Sequence, residues 1–102
     1  MWIYLSDSFL SIVEDWNDES RLMVRGRALG DVEKVFPDAE VISTPTADYP
    51  FRAFIPREQV AQAIQAQVLG IHYTNFKASV SDGERHHRYM RCWTIMKYGG
   101  TK

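Results

Sequence analysis

Arg21-Leu22-Met23-Val24-Arg25-Gly26-Arg27 is the stretch on which the fold turns. Leu22, Val24 and Gly26 fall on one side of an extended chain, and Met23, Arg25 and Arg27 fall on the other. Side chains of a strand alternate between faces, so the segment predicts a β-strand with one apolar and one cationic face. Upstream, Ser8-Phe9-Leu10-Ser11-Ile12-Val13-Glu14 is rich in strand-forming residues. The polar Trp16-Asn17-Asp18-Glu19-Ser20 between them reads as a turn, which makes a β-hairpin with one wet face. Trp2 to Leu5 either adds a short strand or extends the first one through a bulge near Ser6-Asp7.

Downstream, Gly30 to Phe36 reads as a short helix whose first turn Asp31 can cap or charge, and Pro37 stops it. Glu40 to Thr44 is a third strand, and Tyr49-Pro50 leads into a fourth, Phe51 to Ile55. Pro56 opens a clear helix, Arg57 to Leu69, with Val60, Ile64 and Val68 in one stripe and Gly70 as its C-terminal cap. Phe76 and Val80 are spaced for a helical turn. Glu84 to Tyr98 reads as an amphipathic helix, with Tyr89, Met90, Trp93 and Met96 on one side, Arg85, Arg88 and Arg91 on the other, and Gly99-Gly100 closing it. The expected fold class is therefore α+β. A four-stranded antiparallel sheet in two hairpins carries two main helices on one face, in the order β-β-α-β-β-α-α, as a single domain over residues 1–102.

Composition narrows the function classes. The chain is 45% hydrophobic and 25% charged, which excludes disordered and low-complexity classes. No apolar run is long enough to span a bilayer, and the start lacks a basic region ahead of its apolar residues, so neither a membrane nor a signal peptide is expected. Cys92 stands alone and can form no internal disulfide, which points to the cytoplasm. Residues 1–50 hold ten acids and four bases, whereas residues 51–102 hold three acids and eight bases. Either the halves neutralise one another or the C-terminal segment offers a basic face to an anionic partner. The balanced total disfavours nucleic acid without excluding it.

The chemistry-bearing residues form few patterns. His72, His86, His87 and Cys92 have none of the paired spacings of a zinc site, so no metal is expected, and no cofactor either. Phosphate-cradling glycine loops and a G-x-S-x-G elbow are absent. Arg25, Arg27 and Arg52 lie on predicted strands. Unless they pair with Glu14, Glu40 or Asp48, they could grip a carboxylate or phosphate. Tyr73, Asn75, Phe76 and Lys77, followed by Arg85, His86 and Tyr89, make an aromatic and basic region of the kind that carries interfaces, or else they pin a connection to the core.

Val35-Phe36-Pro37, Thr44-Pro45-Thr46-Ala47-Asp48-Tyr49 with Phe51-Arg52-Ala53, Tyr73-Thr74-Asn75-Phe76-Lys77, and Arg85-His86 with Tyr89 and Trp93 resemble a family of small uncharacterised bacterial proteins. The resemblance covers most of residues 10–98. It implies a free-standing protein and carries over no catalytic residue. The reading that follows is a non-catalytic binding or regulatory protein, such as an inhibitor or accessory factor of a phage or mobile element. Its expected protein-binding surface is Arg52, Tyr73, Lys77, Arg85, His86 and Tyr89, and a second copy of the chain is among the partners such a surface admits. The alternative is an enzyme acting on a phosphorylated or nucleic-acid substrate, with His86 as acid–base and arginines as anion clamps.

Overall fold

The computed structural model describes residues 1–99, whose contacts gather into two compact units: residues 1–4 with 8–72, and residues 5–7 with the chain from Tyr73 onward. The first unit is an antiparallel sheet with helices. In chain order it contains β1 (Trp2–Tyr4), β2 (Phe9–Glu14), β3 (Arg21–Gly26), α1 (Asp31–Val35), β4 (Ile42–Ser43), β5 (Phe51–Pro56) and α2 (Arg57–Leu69). The strands lie side by side in the order β1-β2-β3-β5-β4.

The sheet thus has five strands rather than the expected four. The additional strand is Trp2–Tyr4, which pairs along the outside of β2 with Trp2 opposite Ser11. The backbone ladder continues to the chain start, where the Met1 ammonium donates to the Ile12 carbonyl at 2.8 Å. Ile3 stands opposite Leu10 and joins the core face, so apolar burial and pairing agree on this register.

Alternation along β3 sets both faces. Ile12, Val24 and Ala53 run in register across three strands, as do Leu10, Gly26 and Phe51. This face meets Val32 and Phe36 from the first helix and Val60 from the second, making one buried cluster with Ile55. Burying each such aliphatic side chain contributes roughly 1.5–3 kcal/mol. Helix α1 sits close on β3: a Cβ at Gly26 would meet Val32 Cγ2 at 3.3 Å. Gly30, at φ +91°, makes the left-handed turn into α1.

Of the two roles expected of Asp31, it takes the second: it lies in the first turn of α1 as an acid and does not cap the helix with its side chain. It is buried, and its Oδ2 accepts the Phe9 N–H at 3.0 Å. Helix α2 is tied at its start, where Arg57 donates to the Glu19 carbonyl and to Glu14 Oε2 at 2.8 Å. Val60 is buried and Ile64 half-buried, but Val68 is 60% exposed, so only the first turns of the expected stripe reach the sheet.

The hairpin turn is held by carboxylates. Asp15 is buried, accepts the Asn17 N–H, and takes Arg21 Nε and Nη2 on Oδ2 at 3.1 and 2.6 Å. Asp18 accepts from the Ser20 hydroxyl and the Ser20 N–H. The hydroxyl bond first, then the backbone bond and Arg21, hold its carboxyl below its ordinary value of 3.8.

The second unit contains α3 (Phe76–Ser79), α4 (Gly83–Thr94) and a π-helical segment (Ile95–Gly99). Asn75 caps α3 through the Ala78 N–H, and Asp82 caps α4 through the Arg85 N–H. The short helical turn expected near Phe76 is present. The helix expected over Glu84–Tyr98 is α-helical only to Thr94 and continues in π geometry. It belongs to this unit. With β1 and α3 added, the order of strands and α-helices is β-β-β-α-β-β-α-α-α. Gly100 and the tail lie outside the described residues. No helix among the described residues is long and apolar enough to cross a membrane.

Two outcomes are expected. Asp31→Ala leaves the Phe9 N–H unpaired and costs about 1–3 kcal/mol in urea unfolding, while Asp31→Asn, which keeps an acceptor, costs less. Equal stability of Asp31→Ala and the unaltered chain would contradict this role. Because Asp18 is depressed in the folded state, its contribution is present above the ordinary carboxyl value of 3.8 and is lost as pH falls through the folded value. Asp18→Asn should therefore flatten the acid limb of a stability–pH profile, and an unchanged limb would exclude the contribution.

Candidate functional site

The second face of the sheet carries no helix of its own unit and holds the cationic side of β3. Ser11, Arg25, Arg52 and Ile42 run in register across β2, β3, β5 and β4, with Val13, Met23 and Phe54 in the next row. Arg25 and Arg52 stand directly opposite one another on neighbouring strands. Like charges so placed repel, so this pair works against the sheet unless something neutral or anionic compensates.

Within the unit, the compensation is neutral. Tyr49, buried just ahead of β5, receives the Arg25 guanidinium over its ring at 4.5 Å and that of Arg27 at 5.0 Å. Such cation–ring contacts contribute roughly 0.5–2 kcal/mol each. Arg25 Nη2 donates to Ser11 Oγ at 2.7 Å. Arg52 Nη2 donates to the Tyr49 carbonyl at 3.2 Å, and its Nη1 lies 3.8 Å from Met23 Sδ.

Among the described residues no carboxylate pairs with Arg25, Arg27 or Arg52. The expected partners are otherwise placed: Glu14 pairs with Arg57, and no ion pair of Glu40 or Asp48 occurs among the described residues. The Nε atoms of Arg25 and Arg52 are shut from solvent and meet no acceptor there. Aromatic surface borders the row. Phe9 packs against Trp2 and Tyr4 with ring centroids 6.4 and 4.8 Å apart, and Arg21 covers the exposed Phe54.

Arg52 is the one residue of the expected surface in this unit. The others belong to the helical unit. There Tyr73, Phe76 and Tyr89 form a ladder of rings with centroids 5.7 and 5.8 Å apart. Tyr89 donates its hydroxyl to the Leu5 carbonyl at 3.0 Å, and Arg85 Nη1 donates to that hydroxyl at 3.3 Å. These contacts hold the unit together, as a connection pinned by aromatics would. Lys77 lies over the Trp93 ring at 4.6 Å, with Lys97 at 4.8 Å. His86 is half-buried on α4.

The apolar stripe of this helix is covered only over its first part, where Met90 is half-buried. Tyr89 is half-buried, but Trp93 is 42% and Met96 84% exposed. Of the three arginines expected on the outer side, Arg88 and Arg91 are exposed, with Arg88 paired to Glu84, whereas Arg85 is half-buried. Cys92 is exposed. No group of three or more metal-ligating side chains occurs among the described residues.

Two cavities occur in the sheet unit. One, of about 340 Å³, is walled by Val35, Phe36, Ala39 and Ile55, and the other by Glu14, Glu19 and Arg57. Neither is lined by a histidine.

Sequence reading placed Arg25 and Arg27 on one strand face but left them out of the binding surface, and it missed Tyr49, Ser11 and Met23. The available signal was Tyr49 three residues before Arg52, an aromatic at the edge of a row of arginines.

No protein-family model, no curated protein and no solved structure matches the chain.

A double-mutant cycle between Tyr49→Leu and Arg25→Gln should give a stabilising coupling of about 0.5–2 kcal/mol in unfolding experiments. A coupling near zero would mean that the ring does not hold the guanidinium.

Proposed function

We propose that the chain is a non-catalytic binding protein that docks an anionic partner protein on the face of its sheet that carries no helix of its own unit. The observation that carries this reading is the row of Arg25, Arg52 and Arg27 around Tyr49, held only by neutral groups. Arginine on aromatic surface is the chemistry of interface anchors, because a planar guanidinium binds carboxylate or phosphate oxygens in pairs and sheds water easily. A rigid sheet keeps the donors in place and reduces the ordering cost of association. A small inhibitor or accessory factor acts through such a surface without chemistry of its own.

The helical unit's Tyr73, Lys77, Arg85, His86 and Tyr89 stand as a second contact surface that can be tested separately. The enzymatic alternative requires His86 to act as acid–base beside an anion clamp. Neither of the two cavities described above is lined by His86, so they give that role no support.

The test is affinity capture from the native host with four baits: the unaltered chain, Arg25→Gln/Arg52→Gln, Arg85→Gln/Tyr89→Phe and His86→Ala, each checked for folding by circular dichroism. The expected result is a partner retained by the unaltered chain and by His86→Ala, weakened by added salt, and lost with Arg25→Gln/Arg52→Gln. Retention that survives this double change, or that His86→Ala abolishes, would refute the assignment of the surface.

A further inference from the structure

We infer that the Arg25–Arg52 pair is a receptor for a single phosphate monoester dianion; the inference rests on the docking reading above and names what that face recognises. Two fixed positive charges stand opposite each other on adjacent strands, with no carboxylate paired to either among the described residues. Their polar contacts are one hydroxyl, one carbonyl and one thioether, none of which carries charge. Each Nε–H lacks an acceptor within the described chain. A buried donor left without a partner costs about 1–3 kcal/mol, and the mutual repulsion of the pair adds to that.

A ligand oxygen that engages this pair displaces a neutral acceptor. Charge-assisted bonds are roughly twice as strong as neutral ones, so the exchange is favourable. A phosphate monoester carries close to two negative charges at neutral pH and presents three acceptor oxygens. Its charge balances that of both guanidiniums, whereas a carboxylate neutralises only one of them.

Charge elsewhere restricts the ligand further. The sheet unit, residues 1–4 with 8–72, holds ten carboxylates against six lysines and arginines. A polyanion such as nucleic acid meets net repulsion from this unit, while a compact dianion senses the local pair, since charges beyond about 8 Å are largely screened at physiological salt. Aromatic surface beside the row, from Trp2, Tyr4 and Phe9, suits the carbon skeleton that bears the phosphate. That skeleton is either a side chain of the partner protein or a small free ester, and the phosphate chemistry is common to both.

The experiment is a titration of the full ¹⁵N-labelled chain, followed by NMR at the Arg Nε–H resonances, with inorganic phosphate, O-phosphotyrosine, a phosphotyrosine pentapeptide, its unphosphorylated counterpart and acetate. Saturable shifts confined to Arg25 and Arg52 are expected with the phosphorylated compounds. Arg25→Gln and Arg52→Gln should each weaken binding by about ten- to hundredfold, the range of a lost hydrogen bond to a charged group. Arg25→Lys retains the charge but not the planar fork, so it separates a bidentate contact from simple attraction.

Tighter binding of the phosphopeptide than of free phosphotyrosine assigns the site to a partner's side chain, and equal binding assigns it to small esters. Absence of saturable shifts with every phosphorylated compound, or acetate binding as tightly as they do, overturns the inference. In that event a partner captured by the unaltered chain but not by Arg25→Gln/Arg52→Gln leaves the docking reading intact, so the two fail separately.

Discussion

Strand β3 has to satisfy two environments at once, and the remainder of the sheet unit follows from how it does so. Val24 and Gly26 face the core, where α1 approaches so closely that a methyl group at position 26 would press on Val32. Met23 and Arg25 necessarily face the other way, because side chains on a strand alternate. Slipping the register by one residue would exchange these sets, burying Arg25 among aliphatics and exposing Val24. The cost of an unpaired buried guanidinium makes that slip prohibitive, so the cationic residues help to fix the register that the apolar ones require. The same constraint leaves Arg25 opposite Arg52, and the fold manages this repulsion with Tyr49, Ser11 and Met23.

That arrangement differs from the treatment of charge elsewhere in the unit. Where an arginine serves architecture, it meets a carboxylate: Arg21 closes on the buried Asp15, and Arg57 joins Glu14 while holding the hairpin turn through the Glu19 carbonyl. Asp31 does the same for backbone, taking the Phe9 N–H. Against this pattern, Arg25, Arg27 and Arg52 are distinguished by what they lack. In an acidic unit, carboxylates are abundant, yet none is paired with this row among the described residues. The contrast between paired structural arginines and an unpaired row underlies the functional reading.

The hairpin, the helix over Arg57–Leu69 and the antiparallel class were legible in the sequence, because each rests on local periodicity or on Pro56. The fifth strand was ambiguous, since three residues are too few to show a period and only pairing with β2 decides them. The last helix misled in one respect. Its stripe of Tyr89, Trp93 and Met96 has the spacing of a buried face, but amphipathic spacing does not say whether anything lies against it, and Met96 is largely exposed. The burial of Asp15 and Asp31 was not legible, because it goes with the contacts to Arg21 and to the Phe9 N–H, which sequence patterns do not report. Tyr49 was hidden in a loop for the same reason: its ring gains its role only when β3 and β5 pair.

The central claim is that Arg25 and Arg27 are held by an aromatic ring and not by carboxylates, and proton NMR of the free chain addresses it most directly. Ring currents should move the δ-protons of Arg25 and Arg27 upfield of their unfolded positions, with nuclear Overhauser contacts to the Tyr49 ring and, for Arg25, to Ser11. Unshifted δ-protons, together with contacts from these guanidiniums to the methylenes of Glu40 or Asp48, would contradict it.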